Sequence, residues 1–153
     1  MDKTLITRFA MQDDLVLLAS RLLLAWIFVH EGAFLAINFD VASSSMAKLG
    51  VPAFALIATI ALQLIAGIAI AVGWYAQPGA AGLGVFCLAT AMLFHTNFAV
   101  RNELLHFEKD LAMAGGMFVL TVRGAGRWSV DNLLRQKKCA TSALAEARPG
   151  EAM

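Results

Sequence analysis

The chain has 153 residues, 59% of them hydrophobic and 15% charged, with a formal net charge of +1. An ordinary soluble domain carries roughly 25% charged residues, so this composition points to lipid as the solvent. A near-neutral chain with no Lys/Arg stretch interleaved with aromatics also excludes nucleic acid as a partner.

Residues 1 to 14, "MDKTLITRFAMQDD", set Leu5, Ile6, Phe9 and Ala10 at helical spacing with Lys3 and Arg8 on other faces, which predicts a short interfacial helix. The first apolar run, near 15 to 37, is longer than the h-region of a signal peptide and holds Arg21, His30 and Glu31, so it reads as a retained span. "NFDVASSSMAKLGVP" has the Ser, Gly and Pro content of a loop. Pro52 suits the first turn of the second run, 52 to 75, whose many Ala and Gly residues let helices approach in lipid and place it centrally. Trp74 and Tyr75 end that run at headgroup level, and "AQPG" turns into the third run, 79 to 99. The fourth apolar core, Leu111 to Val122, is only 12 residues long. To cross ~30 Å of hydrocarbon its helix must begin near Asn102 or Glu103. "RGAGRWSVDN" then marks a stop without recognisable chemistry, and 133 to 153 read as a polar, largely disordered tail.

The fold class that follows is all-α: a four-transmembrane-helix bundle over 1 to 132, with the last span near 103 to 123, followed by the polar tail. Arg123, Arg127, Arg135, Lys137, Lys138 and Arg148 place the C-terminus in the cytoplasm by the positive-inside rule. Four spans return the N-terminus to the same side, so both longer loops face outward. Cys87 and Cys139 fall on different parts of this topology and are not expected to meet.

Depth can then be compared between helices. Glu31 lies ~9 Å inside the outer end of the first span, His95 sits at a similar level, and Glu103, His106 and Asp110 enter from that side on one helical face. His30, Glu31, His95, Glu103, His106 and Asp110 are therefore candidates for a ligand-binding or proton-handling site in the outer leaflet. Snorkelling or structural pairing accounts for the same residues. Three further polar residues read as structural. Arg21 is nearly opposite His30 in azimuth and is expected to snorkel into a separate cytoplasmic-side contact. Gln63, ~16 Å below the outer start of its span, is expected to hydrogen-bond across helices. Lys109 is expected to reach the outer interface or pair with Glu108 or Asp110. One histidine and two acids at Glu103-x2-His106-x3-Asp110 make a weak metal signature, and no metal is assigned. No phosphate loop, nucleophile elbow, paired CxxC or HExxH pattern occurs, so no catalytic residue or cofactor motif is identified.

"RLLLAWIFVHEG", "KLGVPAFALIATIALQLIAGIAIAVGW" and "NELLHFEKDLAMAGGMFVLTVRGAGRWSVD" together resemble the DoxX family of small four-span bacterial inner-membrane proteins, over nearly all of 15 to 132. The family pattern of Phe-x-Lys-(Asn/Asp)-Leu, Gly-Gly and Gly-Pro-Gly-x-x-Ser-Leu-Asp maps onto Phe107, Lys109, Asp110, Leu111, Gly115, Gly116, Gly124, Gly126, Ser129 and Asp131. Ala125 stands where the family usually has proline, Gln63 where it usually has glutamate, and no lysine follows Gly32. The resemblance implies a multi-pass protein of the bacterial inner membrane that serves as a subunit or accessory of a quinone-linked or thiol-linked redox process, with links to oxidative stress. A quinone is the cofactor it would meet, and a membrane or periplasmic redox protein its partner beside the lipid bilayer. Whether the chain itself catalyses is left open. The readings from other classes are a small transporter or permeation subunit and a membrane scaffold without catalysis; the lack of an internal repeat weighs against transport.

Overall fold

The computed structural model describes residues 3 to 146, with side chains from 11 to 142, and contains six helices in that range. They are α1 (Lys3–Ile37), α2 (Phe39–Lys48), α3 (Ala53–Val72), α4 (Ala76–Phe94), α5 (Arg101–Arg123) and α6 (Val130–Glu146). No strand occurs among the described residues. The long helices α1, α3, α4 and α5 alternate in direction and each packs on the next. The α4–α5 and α1–α3 interfaces are the most extensive, whereas α1 touches α5 only lightly.

The core is one stripe from each long helix: Ala25 and Phe28, Ala66 and Ile70, Leu83 and Cys87, Ala114 and Met117. Small residues set the spacing, because lipid provides no hydrophobic drive for helices to associate and close van der Waals contact must do so instead. At Gly67 a Cβ would come within 2.9 Å of Val29 Cγ2, so α1 and α3 meet almost backbone to backbone. The outward faces are apolar, with Leu23 74% and Ile65 70% exposed, a surface that is favourable only in lipid.

Several expectations are corrected here. The N-terminal segment is no separate interfacial helix: α1 is continuous for 35 residues, since neither Gly nor Pro interrupts it before Gly32. The side chains of Lys3, Leu5, Ile6, Arg8, Phe9 and Ala10 lie outside the described residues. The stretch read as a loop forms α2, because the Ser44 and Ser45 hydroxyls donate back to the carbonyls of Asp40 (2.7 Å) and Val41 (2.9 Å) instead of breaking the helix. "AQPG" is the first turn of α4, and the reversal lies before it, at Gly73 (φ 73°) and Tyr75 (φ 48°).

Among the described residues three helices, not four, are long and apolar enough to cross a membrane: Met11–Ile37 of α1, α3 and α4. α5 has 23 residues, but Arg101, Glu103, Glu108, Lys109 and Asp110 crowd its first half. The tail begins as helix, with the Ser129 hydroxyl accepting the Asn132 N–H at 3.2 Å as an N-cap. A boundary at 132 therefore falls inside α6. Residues 147 to 153, including Arg148, lie outside the described residues.

Candidate functional site

A cavity of about 510 Å³ opens among α1, α3, α4 and α5, with Met46 and Leu49 covering it from α2 and the link beyond. Helical spacing explains its walls. Phe28, Glu31 and Leu35 form one stripe of α1, Thr59 and Gln63 one of α3, Cys87, Thr90 and Phe94 one of α4, and Asp110 and Met113 one of α5. Most of the lining is apolar, and a small set of polar groups is gathered within it.

Asp110 is 7% exposed and lies 3.0 Å from the Thr90 hydroxyl, which also reaches the carbonyls of Phe86 (3.1 Å) and Cys87 (3.0 Å). One hydroxyl proton thus faces three acceptors, so Thr90 does not by itself satisfy Asp110, which also lines the cavity. His95, at the C-terminal end of α4, also lines the cavity; its Nδ1 lies 2.8 Å from Glu103 Oε2 across the α4–α5 link. His106 stacks on the His95 ring, centroids 5.1 Å apart. The contact with Glu103 fixes the orientation of the imidazole and leaves Nε2 for another partner.

The structure thus brings Glu31, His95 and Asp110 to one cavity and attaches Glu103 and His106 to its rim through His95. It does not bring His30. That ring is exposed and stacks on Trp26 at 6.1 Å, because consecutive helical residues point about 100° apart and Glu31 takes the cavity side. Lys109 lines the mouth and is exposed, with neither Glu108 nor Asp110 within 4.0 Å; the ion pairs among the described residues are His95–Glu103 and Asp14–Arg127. The cross-helix hydrogen bond expected of Gln63 is not made by its carbonyl: the side chain lines the cavity and its buried Oε1 has no partner. Thr90, unnoticed in the sequence, is the residue facing Asp110, and Cys87 lies beside it in the wall. Among the described residues no group of three or more His, Cys, Asp or Glu could hold a metal ion.

The opposite end of the bundle is closed by the "GAGRWS" stretch, to which the sequence assigns no chemistry. Arg21 does not snorkel. It is 2% exposed and donates from Nη1 to the Ala125 carbonyl at 2.6 Å and from Nη2 to the Trp128 carbonyl at 2.9 Å. A guanidinium has enough donors to satisfy both carbonyls at once, which offsets part of its removal from water, while its buried Nε–H has no partner among the described residues. Asp131 accepts the backbone N–H groups of Tyr75 (3.0 Å) and Ala76 (3.3 Å), capping α4, while its own N–H donates to the Gly73 carbonyl at 2.9 Å. Asp14 accepts the Arg127 N–H at 3.2 Å. Four segments are tied together there by polar contacts.

The DoxX family model matches residues 16–96. Inner membrane protein YqjF of Escherichia coli K12 is 34% identical over 125 residues, covering 82% of this chain and 96% of its own. Inner membrane protein YphA of the same organism is 29% identical over 130 residues, covering 80% of this chain and 93% of its own. No solved structure matches.

Proposed function

The chain belongs to the DoxX family and is a multi-pass inner-membrane protein, and on that premise we propose that it is a membrane subunit or accessory of a quinone-linked redox process whose cavity holds the quinone. One observation carries this reading: a largely apolar cavity with a few convergent polar groups suits a ligand with a polar ring and a hydrocarbon tail. Glu31 and Asp110 present acceptor oxygens to the head of such a ligand, with Gln63 beside them, and His95, whose Nδ1–H is directed at Glu103, presents an Nε2 lone pair; these groups accept the hydroxyls of the reduced, quinol form of the ring. The thiol-linked alternative is less favoured at the cavity, because its own thiol, Cys87, is 1% exposed whereas thiol exchange requires an accessible thiolate, and the exposed Cys139 is not in its lining.

The reading has α5 complete a fourth crossing, its charged first half at the outer interface and both termini in the cytoplasm. A cysteine placed at Ser44, exposed on α2, is expected to react with an impermeant maleimide in intact cells while Cys139, exposed on α6, stays protected. The reverse pattern would invert the orientation.

For the ligand, titration of the purified protein with a short-chain quinone and its quinol, followed by tryptophan fluorescence, is the direct test. For the reduced, quinol form, whose hydroxyls donate to these acceptors, Asp110→Asn, Glu31→Gln and His95→Ala are each expected to weaken binding about tenfold or more, the scale of a lost charge-assisted hydrogen bond. His30→Ala, on the outer face, should bind as the parent does. Loss of stability in the first three variants with unchanged quinol affinity would make these residues structural and sink the quinone reading.

A further inference from the structure

We infer that the end of the bundle closed by Arg21 binds one membrane phospholipid, its phosphodiester held by Arg123 and Arg135 and one acyl chain lying between α1 and α5. This inference does not rest on the quinone reading. A hollow of about 410 Å³ lies where α4 begins, α5 ends and α6 begins, with Arg123, Arg135 and Asp131 among its walls. Asp131 is occupied by the N–H groups of Tyr75 and Ala76. Neither guanidinium has a carboxylate within 4.0 Å among the described residues. Among the described residues the one side-chain bond that Arg135 makes is a long one, 3.3 Å, to Asn132 Oδ1. Two arginines against one committed aspartate leave one net positive charge, which complements a monoanionic phosphodiester, and planar guanidinium groups match its paired oxygens.

A second observation separates a lipid from a free anion. Arg123 also borders a groove of about 220 Å³ between α1 and α5, lined by Leu17, Leu24, Gly116 and Val119. Gly116, Val119 and Arg123 fall on one stripe of α5, so the groove runs about 10 Å from the guanidinium toward the hydrocarbon. It lies where α1 and α5 touch lightly, with Leu24 packed over Gly116 so closely that a Cβ there would come within 3.2 Å of it. Trp74, Tyr75 and Trp128, all about half exposed or more at this end, mark the headgroup level. Asp13 borders the groove, which places the phosphate on the α6 side of Arg123.

The full chain in mild detergent, titrated with phosphatidylglycerol and observed by native mass spectrometry, tests this. One tightly retained lipid is expected, with Arg123→Gln/Arg135→Gln weakening retention about tenfold or more. Lys137→Gln/Lys138→Gln removes the same charge from residues lining neither hollow and should retain lipid as the parent does. Val119→Trp, which fills the groove from an exposed position, should weaken the long-chain lipid and leave soluble glycerophosphoglycerol unaffected. Undiminished retention in the arginine pair overturns the site. Equal loss in the lysine pair reduces it to diffuse surface charge and also overturns it. Displacement by millimolar inorganic phosphate, with Val119→Trp without effect, would make the ligand a free anion and overturn the lipid.

Discussion

Arg21→Ala is expected to lower the unfolding free energy by about 3 to 5 kcal/mol, the loss of two hydrogen bonds from a charged donor. Arg21 lies within the apolar stretch Met11–Ile37 and is almost completely buried, so its removal leaves the carbonyls of Ala125 and Trp128 without their donor where little water can replace it. Arg21→Lys keeps the charge but replaces the fork with a single ammonium on a shorter reach, and should recover about half of the loss. Denaturant unfolding in a fixed detergent, with retention on size exclusion as a check of folding, measures this. A change under about 0.5 kcal/mol for the alanine variant would mean that the Ala125–Trp128 segment is held in place by something else.

Gly73→Ala strikes the same region through sterics. Gly73 caps α3 in the left-handed region (φ 73°, ψ 38°), where a side chain costs about 1 to 2 kcal/mol. Its new Cβ would lie 2.5 Å from Ser129 Cβ and 2.6 Å from Arg21 Nη1, an overlap that adds about 1 to 3 kcal/mol as neighbours shift. A total near 3 kcal/mol is expected. Because part of the overlap is with Arg21 itself, the double variant Arg21→Ala/Gly73→Ala should lose about 1 kcal/mol less than the sum of the two. Strict additivity would show that the two residues do not touch.

What could be read from the sequence depended on the kind of information each feature carries. Continuous apolarity at bilayer length is visible along one dimension, and α3 at Ala53–Val72 falls inside the run marked at 52 to 75. Depth also transfers between antiparallel helices through the rise per residue, which is why Glu31, His95 and Asp110 reach one cavity. Azimuth does not transfer: which side of α1 faces inward is set by its packing against α3, so His30 falls on lipid although its neighbour Glu31 lines the cavity. The serines of α2 favour either a loop or a helix until their hydroxyls choose partners. Contacts to backbone carbonyls have no side-chain signature at the acceptor, and so the hydrogen bonds of Arg21 to Ala125 and Trp128 cannot be seen in "GAGRWS".

Those bonds also impose an order in time. Their partners lie 104 and 107 residues downstream of Arg21. At a synthesis rate of roughly 5 to 20 residues per second, the guanidinium waits roughly 5 to 20 s before the first acceptor is made. During that interval an arginine nearer one end of the first apolar stretch lacks both carbonyl partners and is stabilised by lipid phosphates, water or the insertion apparatus. The first helix to leave the ribosome is therefore the last to gain its polar anchors, and a nascent chain arrested before Ala125 is expected to lack both of them.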